Sequence, residues 1–203
     1  MLKSHIANIA TSIFPGMRFT MAATAGNADG RPAVYLTFDD GPHPESTPRI
    51  LELLAKHNAL ATFFCLGRNV EKHPSLYDSI LAAGHAVGNH SYSHPNGWTT
   101  STRRYVADID RAAIIISSNL FRPPYGRITP EQYWQLRKNY KIIMWTHQFS
   151  DYRSGFNPAT ANLSGIRPGD ILAMHDNPKT ISKTIVLTEG ILNNPKQQYA
   201  LLD

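Results

Sequence analysis

The chain has 203 residues, 42% hydrophobic and 17% charged, enough for one well-packed domain and unlike a disordered polymer. Twenty basic residues against 15 acidic ones give a net charge of +5. They are scattered, with no Lys/Arg block and no aromatic-basic interleaving, which argues against a nucleic-acid-binding module. No apolar stretch is long enough to span a membrane, and the single cysteine, Cys65, excludes an internal disulfide.

In chain order, Leu2, Ile6, Ile9 and Ile13 recur at helical spacing and predict an amphipathic helix over 1–14, ended by Pro15-Gly16. Polar residues interrupt any secretory core there, so a cytoplasmic location is the default expectation, with export or a membrane-peripheral site left open. Small, polar residues 22–31 read as a linker. The expected organisation is therefore 1–30 as helix and linker and 31–203 as the main domain.

Ala33 to Phe38 reads as a buried strand stopped by Gly41-Pro42, with Asp39 and Asp40 at its C-terminal edge. Thr47-Pro48 opens a helix with Ile50, Leu51 and Leu54 as its apolar stripe and Asn58 as its close, and Ala59–Leu66 is a second strand. A helix is predicted over 74–83 and a strand over 85–89, leading into His90-Ser91-Tyr92-Ser93-His94. The longest predicted helix runs from Ser101 or Thr102 to about Asn119. Leu120-Phe121-Arg122 is a brief strand before the rigid Pro123-Pro124-Tyr125-Gly126, and Thr129-Pro130-Glu131-Gln132 is a capping box. Strands are expected at 140–145, 171–174 and 199–202, a short helix at Asn157-Pro158 and a last helix within 180–193. Alternating strands and helices argue for an α/β fold with a parallel sheet, either a closed barrel or an open doubly wound sheet. Neither a Gly-x-Gly-x-x-Gly nor a Gly-Lys-Ser/Thr phosphate loop is present, which counts against a nucleotide cofactor.

The conspicuous polar residues all follow strands: Asp39, Asp40, His90, His94, Arg122, Tyr125, Asp151 and His175. In a βα barrel such positions converge on one face. Asp-Asp-Gly-Pro alone is also a turn signal, but two adjacent carboxylates repel unless a cation compensates them. His90 and His94, four residues apart, with Asp40 as a third donor, match a catalytic metal site; zinc is the default, and cobalt, nickel or iron also suit. Asp39 is then placed to act as a general base, with Arg122 able to orient it. His175 is the best free general acid, with Asp151 able to hold its tautomer.

Thr37-Phe38-Asp39-Asp40-Gly41-Pro42, His90-Ser-Tyr-Ser-His94, Arg122-Pro-Pro-Tyr125-Gly, Asp151-Tyr152 and Met174-His175-Asp176 occur together in this order. In this the chain resembles the polysaccharide deacetylases with the NodB-homology domain, carbohydrate esterase family 4. The resemblance runs from about Tyr35 to Leu202. It implies a distorted (β/α)7, TIM-barrel-like fold and metal-dependent removal of N-acetyl groups from an N-acetylated saccharide. It further implies Asp39 as base, Asp40, His90 and His94 as metal ligands, and Arg122 as brace. The Tyr125 N–H would serve as an oxyanion donor, and His175 as acid tuned by Asp151. Three positions depart from the family pattern: Thr146, Tyr152 and Ala173, with Trp145 and Leu172 as nearby compensators. The competing expectations are an amidohydrolase for a small non-sugar amide and a catalytically weak carbohydrate-binding homologue.

Overall fold

The computed structural model describes residues 14–23, 32–195 and 197–202. The predicted helix at 1–14 and the linker at 22–31 therefore lie almost wholly outside the described residues.

In chain order the elements are β1 (Tyr35–Asp39), α1 (Thr47–Lys56), β2 (Ala61–Cys65), α2 (Gly67–Lys72), α3 (Pro74–Ala82) and β3 (Ala86–Asn89). They continue as α4 (Thr102–Ala113), β4 (Leu120–Phe121), a 3₁₀ turn (Pro124–Gly126), α5 (Pro130–Leu136), β5 (Lys141–Ile142) and β6 (His147–Gln148). A second 3₁₀ turn (Pro158–Thr160), β7 (Ile171–His175) and α6 (Ile181–Leu192) complete the chain.

All seven strands pair in parallel, in the order β5-β4-β3-β2-β1-β7-β6. The two edge strands, β5 and β6, are separated in sequence only by residues 143–146. Four residues span at most about 14 Å, so the sheet must curl until its edges approach. The expected seven-stranded α/β barrel results, its ring incomplete between β5 and β6. Residues 17–21 run along that seam. Arg18 N donates to Ile142 O at 2.8 Å and Arg18 O accepts from Met144 N at 2.7 Å. On the far side, Met21 N donates to Gly169 O at 2.9 Å, and Thr146 Oγ1 donates to Phe19 O at 2.8 Å. Thr146 is thus a seam residue.

Strand alternation divides the core. Leu36 and Phe38 point outward and pack with Ile50, Leu54, Ile80 and Ile181 under the helices. Tyr35 faces the axis with Phe64, Leu120, Ile143 and Ile171. Thr37 and Asp39 continue that inner face up to the C-terminal rim. Gly88 pairs with Phe64 across β3 and β2, and a Cβ there would fall 2.5 Å from the Phe64 ring. That missing side chain is what lets Phe64 fill the barrel.

Four differences from the predicted elements have physical causes. Helix α4 stops at Ala113 because the β-branched run Ile114-Ile115-Ile116 lowers helix propensity, and Ile114 turns out to solvent at 85% exposure. The six-residue α2 is too short to show a 3.6-residue period. Strand β6 has two polar residues and no alternation to read. The predicted strand at 199–202 is a single parallel bridge from Tyr199 to Val34. The capping box is formed as expected: Thr129 Oγ1 accepts from Gln132 N, and Gln132 Oε1 accepts from Thr129 N.

Gly88→Ala should destabilise the fold by about 1–3 kcal/mol through overpacking against Phe64, measured as a shift of the urea unfolding midpoint. An unchanged midpoint would show that Phe64 has room to move.

Candidate active site

Strand β1 delivers Asp39 to the rim with its side chain still on the inner face, 5% exposed. Arg122, wholly buried after β4, reaches across the barrel to meet it. Its Nη1 donates to Asp39 Oδ1 at 2.7 Å and to Thr37 Oγ1 at 2.6 Å. Its Nη2 donates to Met144 O at 2.9 Å, its Nε donates to Ile143 O at 3.3 Å, and its face lies 4.1 Å from the Phe64 ring centre. Burial alone would raise the Asp39 pKa. Arg122, helped by His90 and His175, outweighs that and holds the carboxyl below its usual value. Asp39 is therefore ionised at neutral pH.

Asp40 turns the other way. Its φ of 80° puts it in the left-handed region, where Asp is among the more tolerant residues. The adjacent carboxylate is thereby aimed at the histidine loop. His94 Nε2 stands 3.4 Å and His90 Nε2 3.7 Å from Asp40 Oδ1. Two donors each about 2.1 Å from a shared ion at tetrahedral angles stand roughly 3.4 Å apart, so the spacing fits a metal ion. The donor chemistry fits as well. The Arg122 carbonyl lies 2.8 Å from His90 Nδ1 and fixes the proton there, leaving the Nε2 lone pair facing Asp40. Burial, and then His90, pulls His94 down to about 4 against the carboxylates of Asp40 and Asp39. It is neutral, the ligand form. Asp40, His90 and His94 together could hold a metal ion.

The loop that carries both histidines is shaped by residues without a catalytic signature. Ser91 and His94 adopt φ of 70° and 66°. Asn89 Oδ1 accepts from Ser91 N, and Ser91 Oγ accepts from His94 N. Asp108 on α4 accepts from Tyr92 N, Ser93 N and Ser93 Oγ, at 2.8, 2.9 and 2.6 Å. Asn69 Nδ2 donates to Asp40 O at 2.7 Å. Sequence reasoning passed over Asn69 and Asp108, and a lone polar residue on a helix carries no motif that could have flagged either.

Across the cleft, β7 ends at His175. Its Nδ1 lies 2.6 Å from Asp151 Oδ1, and its backbone N donates to Asp151 Oδ2 at 3.0 Å. Thr184 Oγ1 adds a donor to Asp151 Oδ2 at 2.9 Å, so this buried carboxylate is held at both oxygens. Burial would lower the His175 pKa, but Asp151, with Asp39 and Asp40 beyond, pushes it up to about 9. Beneath the rim, Asp176 is clamped by Ser46 Oγ at 2.5 Å and Thr47 Oγ1 at 2.6 Å. A Cβ on Gly41 would collide with that carboxylate at 2.1 Å, so only glycine fits the Asp-Gly-Pro turn. Cys65 is buried, and burial with the Asp176 and Asp39 charges pushes its thiol well up. It stays in the thiol form.

All eight residues singled out from the sequence thus gather at the C-terminal rim. Asp39, Asp40, His90, His94, Tyr125 and His175 line one cleft of about 480 Å³, while Arg122 and Asp151 stand behind Asp39 and His175. Tyr125 adopts φ 59°, and its N–H donates to no group among the described residues. Of the departures from the family pattern, Tyr152 lines the cleft with its ring edge-on to His175 at 5.4 Å. Ala173 is buried in β7. Trp145 also lines the cleft, whereas Leu172 faces the helices and contributes nothing to it.

The family model described as polysaccharide deacetylase matches residues 26–144, more than half of the chain. The chain belongs to the polysaccharide deacetylase family. A peptidoglycan-N-acetylglucosamine deacetylase of Bacillus cereus is 38% identical over 154 residues, which cover 71% of this chain and 56% of that relative. The match thus spans little more than half of the relative's length. A chitooligosaccharide deacetylase of Azorhizobium caulinodans is 33% identical over 157 residues, covering 71% of this chain and 73% of the relative. The crystal structure of a peptidoglycan N-acetylglucosamine deacetylase in complex with 4-naphthalen-1-yl-N-oxidanyl-benzamide superposes with a TM-score of 0.81. It is 28% identical and covers 95% of this chain and 94% of its own. The fold of this family member is therefore shared almost end to end with a solved relative.

The His175–Asp151 pair gives a signed pH prediction. The folded value of about 9 exceeds the ordinary 6.5, so the stabilisation is complete below pH 6.5 and is lost as pH rises through 9. Chelator-treated protein should lose unfolding free energy over that window relative to His175→Gln, measured by urea titration. Parallel pH curves for the two would show that the pair does not favour the protonated form.

Proposed function

We propose that the protein hydrolyses the N-acetyl group of an N-acetylglucosamine-type saccharide, releasing acetate and a free amine. The observation that carries this reading is the pairing of an ionised Asp39 and a proton-bearing His175 across the Asp40-His90-His94 cluster. The family relatives named as deacetylases of such sugars support it.

Amide hydrolysis needs a base to activate water, a donor for the carbonyl oxygen as it gains charge, and an acid for the departing amine. Asp39, kept charged by Arg122, takes the proton from the attacking water. The Tyr125 N–H, which has no partner among the described residues, donates to the carbonyl oxygen. His175, whose proton Asp151 stabilises, protonates the nitrogen as the C–N bond breaks, because an amine anion is a very poor leaving group. A divalent cation held by Asp40, His90 and His94, zinc by the donor set, would supply Lewis acidity that polarises the acetyl carbonyl and makes water easier to deprotonate. The adjacent aspartates thus divide the work. Asp40 serves as ligand and Asp39 as base.

Chelation should abolish acetate release from N-acetylglucosamine oligomers, and added zinc should restore it. Asp39→Asn and His175→Ala should each lower kcat by roughly 10²–10⁴-fold with metal content unchanged, as read by elemental analysis. Acetate release that survives chelation or Asp40→Ala would overturn the metal assignment.

A further inference from the structure

Tyr125, Arg127 and Trp98 form a row beside the metal cluster that the chemistry above leaves unused beyond the Tyr125 N–H. The Tyr125 ring meets His94 edge-on at 4.4 Å. The Arg127 guanidinium lies 5.9 Å from the Tyr125 ring centre and 4.8 Å from that of Trp98. An aromatic-cation-aromatic ledge therefore leads outward from the cluster. Trp98 is 65% exposed and Tyr125 59%, a large apolar area to leave in water at the mouth of a cleft.

The ledge is held in place. Gln132 Nε2 donates to Gly97 O at 2.9 Å and to Thr100 O at 3.0 Å, and Trp98 N donates to Asn96 Oδ1 at 3.0 Å. A Cβ on Gly97 would fall 2.2 Å from Arg127 O, so glycine is what lets the histidine loop press against the Arg127 backbone. Charge is the second observation. Arg127 and Lys179 both line the cleft, and neither forms an ion pair among the described residues. The cleft's own carboxylates are committed elsewhere, Asp39 to Arg122 and Asp40 to the histidines. The Arg127 guanidinium lies over the Trp98 ring, and its N–H groups donate to no group among the described residues, which leaves a planar fork that matches a carboxylate.

The geometry points to the Trp98–Arg127 ledge as a subsite for a sugar unit adjoining the one deacetylated, and to that unit carrying a carboxylate. The C–H face of the sugar lies on the indole, and its carboxylate meets the Arg127 edge within the field of Lys179. This rests on the deacetylase reading and narrows its substrate to an acidic N-acetylated glycan rather than a neutral one.

Two tetrasaccharides test it: alternating N-acetylglucosamine and N-acetylmuramic acid with free carboxylates, and the same glycan with those carboxylates reduced to alcohols. Titration calorimetry on the chelated protein reads binding without turnover, and acetate release on the zinc-loaded protein reads the reaction. Wild type should favour the carboxylated glycan by about tenfold in both, with the preference falling as salt rises. Arg127→Gln should erase the preference while leaving the reduced glycan unaffected, and Arg127→Lys should keep part of it. Trp98→Ala should weaken binding of both glycans, with Trp98→Phe restoring much of it. Equal binding of the two glycans by wild type, or equal losses on both in Arg127→Gln, would overturn the subsite even if acetate is released. A carboxylate preference in binding without acetate release would support the subsite and count against the deacetylase reading instead.

Discussion

The site depends on one guanidinium buried in the barrel. Arg122 has no exposed atoms, yet it spends donors on an aspartate, a threonine and two backbone carbonyls of the β5–β6 connection. Burying such a charge is tolerable only when it is paired and hydrogen-bonded, and removing one partner of such a pair typically costs about 3–5 kcal/mol. The same residue lends its own carbonyl to His90, so the base and a metal ligand are oriented from a single position. Thr37, Phe64 and the Gly88 gap exist, in packing terms, to seat it. The interior of the barrel is thus polar along a line from Thr37 to the rim.

Around that anchor the charges are sorted. Neighbouring carboxylates would repel if they shared a direction, and the left-handed turn at Asp40 separates them into opposite environments, one against the Arg122 guanidinium and one against the imidazole nitrogens of the histidine loop. Across the cleft the carboxylate–histidine pair has the inverse bias. Asp151, held by Thr184 and by the His175 backbone, has little to do except keep a proton on the ring. Environment, more than residue type, assigns each group its protonation state.

Much of this was legible in the sequence because it is written in local patterns. The run Val34–Phe38 declares a strand, the capping box at Thr129 declares a helix start, and each conspicuous polar residue follows a strand, which parallel βα topology turns into proximity. What stayed hidden is non-local or too short to repeat. The helix Gly67–Lys72 and the strand His147–Gln148 fall below one readable period. The ending of α4 at Ala113 depends on three isoleucines that, by apolar spacing alone, could continue it. Residues 17–21 gave no strand signal, since their order comes from pairing with the barrel seam rather than from their own alternation. Asp108 reads as a solvated helix residue until the loop it holds is seen.

The capping box has a meaning beyond the helix it starts. A glutamate at its third position would serve the helix as well as Gln132 does, since either side chain can accept from the Thr129 N–H. Gln132, however, also donates its amide N–H groups to two carbonyls of the histidine loop, 35 and 32 residues earlier in the chain. A carboxylate there would face two carbonyl oxygens with nothing to offer them. The exchange that costs a lone helix almost nothing would therefore unfasten a loop in this protein, and a position that local grammar leaves free is spelled out by a distant stretch of backbone.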